Sequence, residues 1–276
     1  MQAYAAAQPQ IKTVARQSTV QDFRTKSLLR LGEAPKLIKV PESGEIHEGT
    51  RSELKESYAA YTYGRTFGIS RQAMINDDLS AFADCFSTFG QSVASLEAQG
   101  LVDLLGANSG YGATMSDGKS LFHADHANLA ETGLAIDTDS LGAARLSLRT
   151  TTGIDGETII ETSPKYLLVP AALETVGERM LARLYPAETK NANPFAGGLL
   201  ELRVEPRLDA ISAYRWYVSG DPAVIPALEY SYLEGFAGPK IETRQGWEIL
   251  GVEFRCYMDL GCGVVGFRGT FCNDGH

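Results

Sequence analysis

The sequence lacks the cysteine motifs and long apolar runs that mark several classes of protein. Its 276 residues include four cysteines, Cys85, Cys256, Cys262 and Cys272, and none of them forms a Cys-x-x-Cys pair. A zinc ribbon or a thioredoxin-type site is therefore not expected. We predict reduced thiols, because disulfide frameworks are typical of much smaller secreted domains. No apolar run reaches the roughly 18 residues that cross a bilayer, and the first residues lack the pattern of a secretory signal.

The motifs of common catalytic sites are also absent. The sequence contains no Gly-x-Ser-x-Gly nucleophile elbow and no Gly-rich phosphate loop with the required lysine. Gly261-Cys262-Gly263 could form a nucleophile turn, but a bend between two buried strands explains its glycines better. Asp77 and Asp78 could act as paired carboxylates, but the positive end of a helix also favours acidic residues. We therefore predict no catalytic residue, no cofactor and no enzyme activity.

Positive charge is scarce overall and concentrated near one end. The chain has 25 Lys and Arg against 34 Asp and Glu, for a net charge of −9, which argues against a sequence-specific nucleic-acid reader. Residues 1–40 nevertheless carry a net charge of +5, which leaves −14 on the remaining residues. A basic arm on an acidic body suggests that the arm meets an acidic surface, either nucleic acid or a neighbouring copy. The alternative is a solvated, loose terminus.

The order of predicted elements favours an α+β fold. Residues 1–35 are not expected to build a core, although residues 21–31 could form a short helix. Residues 36–40 and 58–69 are predicted to be two antiparallel strands joined by a charged tip, since the second run is rich in β-forming residues. Such a hairpin buries too little apolar area to be stable alone. It must be disordered, lie on its own body or lie on another subunit.

The clearest predicted element is a long helix over residues 77–105. Asn76 is a suitable N-cap, and apolar residues then recur every three or four positions up to Leu105. Two further helices are predicted over residues 140–148 and 170–184, the latter with Val176 facing inward. The predicted later strands are residues 166–169, 199–205, 214–219, 228–232, 241–244, 247–258 and 263–271.

The run His123-Ala124-Asp125-His126 offers two imidazoles and a carboxylate, which are good zinc or iron ligands. Its spacing fits no supported metal motif, and the other histidines are His47 and His276. A turn whose side chains bond to the local backbone explains the run without a metal. We predict no metal site, with a metal-dependent hydrolase using His123, Asp125 and His126 as the alternative of a different class.

Several motifs resemble the major capsid proteins of tailed phages of the Mu type. The run YGRTFGISRQAMINDDL at residues 63–79 is similar to the strand that leads into the long helix in that family. Further similar stretches are residues 117–126, 168–174, 193–197, and 232–235 with 241–244. They occur in order across residues 36–272. Any one of these motifs is weak alone, but together they are specific.

This resemblance implies the HK97-like capsid fold. It implies an N-terminal arm at residues 1–35, a projecting hairpin (the E-loop) at 36–72, a peripheral domain at 73–134 and 246–276 with a spine helix at 77–105, and an axial domain at 135–245. The implied function is structural: a major head protein that forms hexamers and pentamers of an icosahedral shell around double-stranded DNA. Lys55 is a conceivable crosslinking residue, but no motif supports that chemistry.

The resemblance also implies partners and a location. The expected partners are other copies of the chain, a portal, scaffold or prohead protease during assembly, and packaged double-stranded DNA bound without sequence specificity. No membrane is expected, and the location is the virion after assembly in the host cytoplasm. Encapsulins, which are bacterial enzyme compartments, share the fold. An encapsulin-like shell is therefore an alternative, although the Mu-type wording favours a phage capsid.

Overall fold

The computed structural model describes residues 2–31, 53–76, 80–182, 198–246 and 250–275. The helices in these ranges are α1 (Gln2–Ala6), α2 (Arg71–Asn76), α3 (Ser80–Gly110), α4 (Thr138–Thr150) and α5 (Glu174–Leu181). The strands are β1 (Ala15–Val20), β2 (Lys26–Leu31), β3 (Glu53–Tyr58), β4 (Tyr61–Ser70), β5 (Pro164–Val169), β6 (Glu201–Val204), β7 (Trp216–Gly220), β8 (Leu228–Leu233), β9 (Lys240–Gln245), β10 (Gly251–Val264) and β11 (Thr270–Asn273). This mixture confirms the α+β class. Among the described residues, no helix is long and apolar enough to span a membrane.

Helix α3 is the long helix that the apolar periodicity predicts. Its predicted start at residues 77–79 lies outside the described residues, and Asn76 is the last residue of α2. Regular helical geometry ends before Ala107, whose ψ is 156°, and Asn108 and Ser109 adopt left-handed φ values of 51° and 61°. The predicted end at residue 105 is therefore close to the observed break.

The first sheet packs against α3. Its strand order is β1-β8-β10-β4, and β9 also pairs with β10. The β1–β8 pair is parallel and the other pairs are antiparallel. Phe67 of β4 stacks on Phe89 of α3, with 4.9 Å between ring centroids, and on Phe254 of β10, with 5.0 Å. These rings fix the helix to the sheet at one end of its length.

The second sheet has the strand order β11-β7-β5-β6 and packs against α4. Helix α4 begins with a capping box, in which Asp137 Oδ1 accepts from the Ser140 amide at 2.6 Å and Ser140 Oγ accepts from the Asp137 amide at 3.0 Å. The helix predicted at residues 140–148 and the strand predicted at 166–169 are both confirmed. The buried core here includes Leu141, Leu148, Leu167, Trp216, Val218 and Phe271.

The prediction that residues 1–35 build no core is wrong. Ile11 is fully buried and Val14 is 4% exposed, and both pack in the core below α3. Strand β1 then joins the first sheet beside β8. A strand that adds to an existing sheet gains its main-chain hydrogen bonds from that sheet, so a few apolar side chains are enough to hold it.

The predicted hairpin is shifted along the chain. Residues 26–31, within the segment predicted as a helix, form β2, which pairs with β3. The second predicted strand, residues 58–69, corresponds mainly to β4, which pairs with β10 over ten residues. Residues 36–40 lie outside the described residues. The β-forming residues of β4 therefore belong to the main sheet, because β10 offers them a long antiparallel partner.

Two later predictions also need correction. The predicted helix at residues 170–184 becomes a 3-10 turn at Ala171–Leu173 followed by α5, which ends at Leu181. Val176 is 37% exposed, whereas a Cβ on Gly177 would lie 2.7 Å from Leu202 Cδ1. The helix therefore approaches its neighbour through the glycine and not through Val176.

The end of the chain differs from its predicted strands. The strand predicted at residues 247–258 begins at Gly251 as β10, and residues 247–249 lie outside the described residues. Instead of a second strand over 263–271, β10 continues to Val264 and β11 begins at Thr270. Gly261 and Gly263 therefore lie inside one strand and mark no bend. The nearby Cys256, Cys262 and Cys272 are free thiols.

Candidate assembly site: the hairpin and its root

The hairpin of β2 and β3 stands apart from both main sheets. Its first residue pair is Lys26 opposite Tyr58, which we call the hairpin root. Among the hairpin residues whose side chains the structure describes, Tyr58 is the buried one. Leu29 is 56% exposed and Lys55 is exposed. The hairpin is thus buried at its root and open to solvent further out.

Both residues of the hairpin root bond to one buried carboxylate, that of Glu229 on β8. Tyr58 donates its hydroxyl to Glu229 Oε1 at 2.6 Å, and Lys26 Nζ donates to the same oxygen at 2.8 Å. Ser18 Oγ of β1 also donates to Oε1, at 2.7 Å. Arg16 of β1 binds the other oxygen, Oε2, through Nε at 2.8 Å and through a second guanidinium nitrogen. One carboxylate therefore joins β1, β2, β3 and β8.

The electrostatics of this cluster favour the charged form of Glu229, which is fully buried. Burial alone would raise its pKa, but the hydrogen bonds from Lys26, Tyr58, Ser18 and Arg16 outweigh burial and lower the pKa to about 2. Burial and the hydrogen bond to Glu229 also raise the pKa of Tyr58, which keeps its hydroxyl protonated as a donor. The cluster is consequently an ionised carboxylate with two cationic partners.

Glycines in β10 make room for the hairpin root. A Cβ on Gly263 would lie 2.3 Å from Cδ1 of Tyr58, and one on Gly261 would lie 3.1 Å from the carbonyl oxygen of Ala59. Real Cβ atoms do not tolerate the first of these distances. Gly263 is therefore required by the close approach of Tyr58 to the face of β10, and a side chain at Gly261 would be tight against Ala59.

A second bond holds the hairpin further from its root. The carboxylate of Glu56 on β3 accepts from the Ser116 amide at 3.1 Å and from Ser116 Oγ at 2.6 Å. Ser116 belongs to the turn that follows α3. This contact is exposed to solvent, so its net contribution to stability is smaller than that of the buried cluster.

A second buried carboxylate, Glu97 of α3, holds the N-terminal residues. It is 1% exposed. Lys12 Nζ lies 2.7 Å from its Oε2, and Tyr4 donates its hydroxyl to Oε1 at 2.5 Å. Tyr232 of β8 donates to the same oxygen. Burial and the bond to Glu97 raise the pKa of Tyr4 to about 12, so it too stays a donor.

These pairs correct the interpretation of the basic arm. Three cations of the arm, Lys12, Arg16 and Lys26, contact buried carboxylates of their own chain. Buried carboxylates need cationic partners, and these arm residues supply them. Arg24 differs, because its side chain is 91% exposed and lies 3.8 Å from the exposed Asp22.

The residues of the possible metal motif lie in a 3-10 turn at Ala124–His126. His123 Nδ1 accepts from the Asp125 amide at 3.1 Å, and Asp125 pairs with Lys119 Nζ at 2.5 Å. His126 Nε2 lies 2.7 Å from Asp117 Oδ2. Its ring stacks on Phe267 with 4.0 Å between centroids.

This arrangement is a turn of the kind that explains the motif without a metal. Burial raises the pKa of Asp117, but its hydrogen bonds to His126 and to the Lys119 amide outweigh burial and lower it. The other ring nitrogen of His126 lies 3.1 Å from the Leu121 carbonyl oxygen. Within the described residues, no group of three or more His, Cys, Asp or Glu side chains is arranged to hold a metal ion.

A family model described as phage capsid protein matches residues 53–273, which is most of the chain. The chain belongs to the phage capsid protein family. No curated protein sequence matches it at a significant level. The family assignment supports a structural role in a capsid and gives no support to the hydrolase alternative. It also favours a phage capsid over an encapsulin-like shell. The Mu-type subfamily stays a prediction.

Solved capsid structures share the fold of this phage capsid protein. The structure titled "Capsid structure of the Cyanophage P-SCSP1u" is similar with a TM-score of 0.60 and 11% identity, covering 96% of this chain and 88% of that one. A chain from Mycobacterium phage Adephagia is similar with a TM-score of 0.59 and 11% identity, covering 96% of this chain and 89% of that one. The structure titled "Cyanophage Pam1 capsid asymmetric unit" is similar with a TM-score of 0.56 and 12% identity, covering 91% of this chain and 85% of that one. At these identities the likeness establishes the fold, which is HK97-like.

The sequence reasoning missed both buried carboxylates of this capsid protein. A signal for Glu229 was available, because it lies between apolar and aromatic residues in the run Leu228–Leu233, and a charged residue in a buried strand needs a partner. Glu97 had a similar signal on the apolar face of α3. Their partners, however, come from residues 4–58 and, for Glu97, also from Tyr232 of β8, and no spacing in the sequence connects them to these carboxylates.

Proposed function

We propose that this phage capsid protein is the major head subunit, which assembles with copies of itself into hexamers and pentamers of an icosahedral shell enclosing double-stranded DNA. The hairpin is the observation that carries the proposal. It is fixed to the body at Lys26 and Tyr58, and Leu29 and Lys55 further out are exposed. An exposed hairpin gains apolar burial when it lies on a neighbouring subunit, at roughly 25 cal/mol per Å² of buried apolar area.

Strand β4 supports the same proposal. It is the last strand in the order of the first sheet, and most of its side chains are exposed on both faces. Tyr61 is 62% exposed and Tyr63 is 41% exposed. An edge strand with exposed tyrosines offers both main-chain hydrogen bonds and aromatic surface to a neighbour. We expect β4 to lie in a contact between subunits.

We also infer the domain organisation. The first sheet with α3 corresponds to the peripheral domain, and the second sheet with α4 and α5 corresponds to the axial domain. Because β1, β8 and β9 share the first sheet and β11 shares the second, we assign β1, β8 and β9 to the peripheral domain and β11 to the axial domain. The segment predicted as an N-terminal arm, residues 1–35, therefore contributes residues such as Ile11 to the core and strand β2 to the hairpin.

The proposal also includes the partners expected during assembly and the packaged DNA. A virion protein of this family associates with copies of itself, and a portal, a scaffold or a prohead protease would act during assembly in the host cytoplasm. Packaged DNA would be contacted without sequence specificity. The excess negative charge supports weak contact, because it repels the DNA backbone.

Negative-stain microscopy of the purified full chain tests the proposal. We expect closed shells or ring-shaped capsomers, and DNA of phage length inside particles taken from infected or induced cells. A chain that stays a single subunit at all concentrations would contradict self-assembly. Closed shells that hold a host enzyme in place of DNA would favour the encapsulin-like alternative.

A further inference from the structure

The two oxygens of the Glu229 carboxylate have different partners. Oε2 is bound by Arg16, which belongs to β1 in the body of the subunit. Oε1 accepts from both residues of the hairpin root, Lys26 and Tyr58, and from Ser18 of the body. One side of the carboxylate is therefore committed to the body, and the other side is shared with the hairpin.

This division determines what happens when the hairpin moves. If Lys26 and Tyr58 leave, Glu229 keeps the two guanidinium bonds of Arg16 and the hydroxyl of Ser18. The carboxylate then still has a cationic partner and a hydrogen bond, so it does not become an unpaired buried charge. Releasing the hairpin therefore costs less free energy than it would if Lys26 were the only cation bound to Glu229.

The remaining attachments of the hairpin are few and exposed. Beyond its root, the described bond to the body is that of Glu56 with Ser116, at the surface. Leu29 and Lys55 on the same hairpin are exposed. Whatever fixes the direction in which the hairpin leaves the body must therefore act mainly at Lys26 and Tyr58.

We propose that Glu229 is a releasable latch, which fixes the direction of the hairpin through Lys26 and Tyr58 while Arg16 keeps the carboxylate in the body. Lys26 also donates to Ser18 Oγ at 2.8 Å and to the Thr19 carbonyl oxygen at 3.4 Å. Breaking the bonds of Lys26 and Tyr58 leaves the hairpin held by the exposed Glu56–Ser116 contact, without unfolding either sheet. The latch rests on the proposed function only for its use in assembly, since it is a property of the single subunit.

Hydrogen exchange measured by mass spectrometry on the unassembled full chain tests the latch. Y58F removes the bond of the Tyr58 hydroxyl to Glu229, and K26Q removes the bonds of Lys26 to Glu229, Ser18 and Thr19. R16Q is the charge-matched control for K26Q, because it removes one positive charge from the body side of the same carboxylate. We expect K26Q and Y58F to speed exchange in β2 and β3 by about tenfold, as expected for loss of a hydrogen bond to a charged group. Exchange in β5 and β7 of the second sheet should stay at the wild-type rate. R16Q should instead speed exchange in β1 and β8.

Two results would overturn the latch. One is hairpin exchange at the wild-type rate in both K26Q and Y58F. The other is a uniform increase over both sheets, which would make the cluster a general stabilising contact. E229Q is not needed for this test, so a failure of that variant to fold does not affect it. If the hairpin loosens as expected but the variants assemble normal shells, the latch stands and the role of the hairpin in assembly fails.

Discussion

The hydroxyl of Tyr58 donates a 2.6 Å hydrogen bond to the carboxylate of Glu229, which lies 171 residues further along the chain. Tyr58 ends the second strand of the hairpin, and Glu229 is fully buried in the sheet below it. This bond therefore joins the hairpin to the core of the subunit. The stability of the subunit should depend on the charge of that carboxylate.

Acid should weaken the subunit through Glu229. Its pKa falls from an ordinary 4.5 to about 2 in the folded protein, so its contribution is present above about pH 4.5 and is lost as the pH falls towards 2. That contribution is about 3 kcal/mol at neutral pH. The groups facing the carboxylate are Arg16, Ser18, Lys26 and Tyr58.

The measurement is urea unfolding of the wild type and E229Q between pH 2 and pH 7. E229Q should be less stable at neutral pH by about 3 kcal/mol, because it removes the buried negative charge that the partly exposed Arg16 and Lys26 side chains pair with. The difference between the two proteins should shrink as the pH falls below 4.5. Parallel curves across the whole range would contradict the account of this cluster.

The glycine at position 263 should resist substitution. In G263A the new Cβ would lie 2.3 Å from the Tyr58 ring, which is itself fixed by its bond to Glu229. We expect a loss of about 1–3 kcal/mol in the free energy of unfolding. G142A is the matched control, because Gly142 lies within α4 and has no atom within 4 Å of an added Cβ. That change should stabilise the protein by up to about 1 kcal/mol. Equal effects of the two changes would show that β10 does not need its glycine here.

Substitutions at Lys12 and Arg24, two cations of the arm, should differ sharply in their effect on the free energy of unfolding. K12M removes the cation from the buried Glu97 and should cost about 3–5 kcal/mol, because a buried charge loses its partner. R24Q, at a side chain that is 91% exposed, should change stability by less than about 0.5 kcal/mol. Urea unfolding at low and high salt checks both. A strongly salt-dependent loss in R24Q and none in K12M would restore the arm as a surface for an external partner.

Metal removal should leave the protein unchanged. His123, Asp125 and His126 bond to their own turn, to Lys119 and to Asp117. Chelator treatment should therefore leave the melting temperature and the assembly yield as they were. H126A should lower stability by about 2–4 kcal/mol, because it removes the stack on Phe267 and leaves a cavity. Stoichiometric zinc or iron whose removal abolishes assembly would contradict this interpretation.

Local patterns in the sequence predicted the local elements well. The apolar periodicity of α3 and α4 depends on residues close in sequence, so these two helices were predicted correctly, whereas residues 26–31 form a strand and the helix predicted at 170–184 is shorter. The position of the hairpin could not, because two runs of β-forming residues compete for partners. The longer run, Tyr61–Ser70, pairs with β10, whose sequence lies almost 200 residues away. The clusters at Glu97 and Glu229 escaped prediction for the same reason, since their donors come from distant parts of the chain.

We expect the segment of the hairpin beyond Lys26 and Tyr58 to serve contacts between subunits and not the core of its own subunit. Replacing residues 32–52 by a short Gly/Ser linker keeps the register of β2 and β3, including the bonds of Lys26 and Tyr58. Changes of loop length alone cost little stability, so the variant should melt cooperatively within a few degrees of the wild type.

Particle sizing and negative-stain microscopy on this same linker variant give the most direct test. We expect folded subunits that fail to form closed shells under conditions in which the wild type forms them. Normal closed shells from the variant would contradict this expectation, as would the loss of its cooperative melting transition.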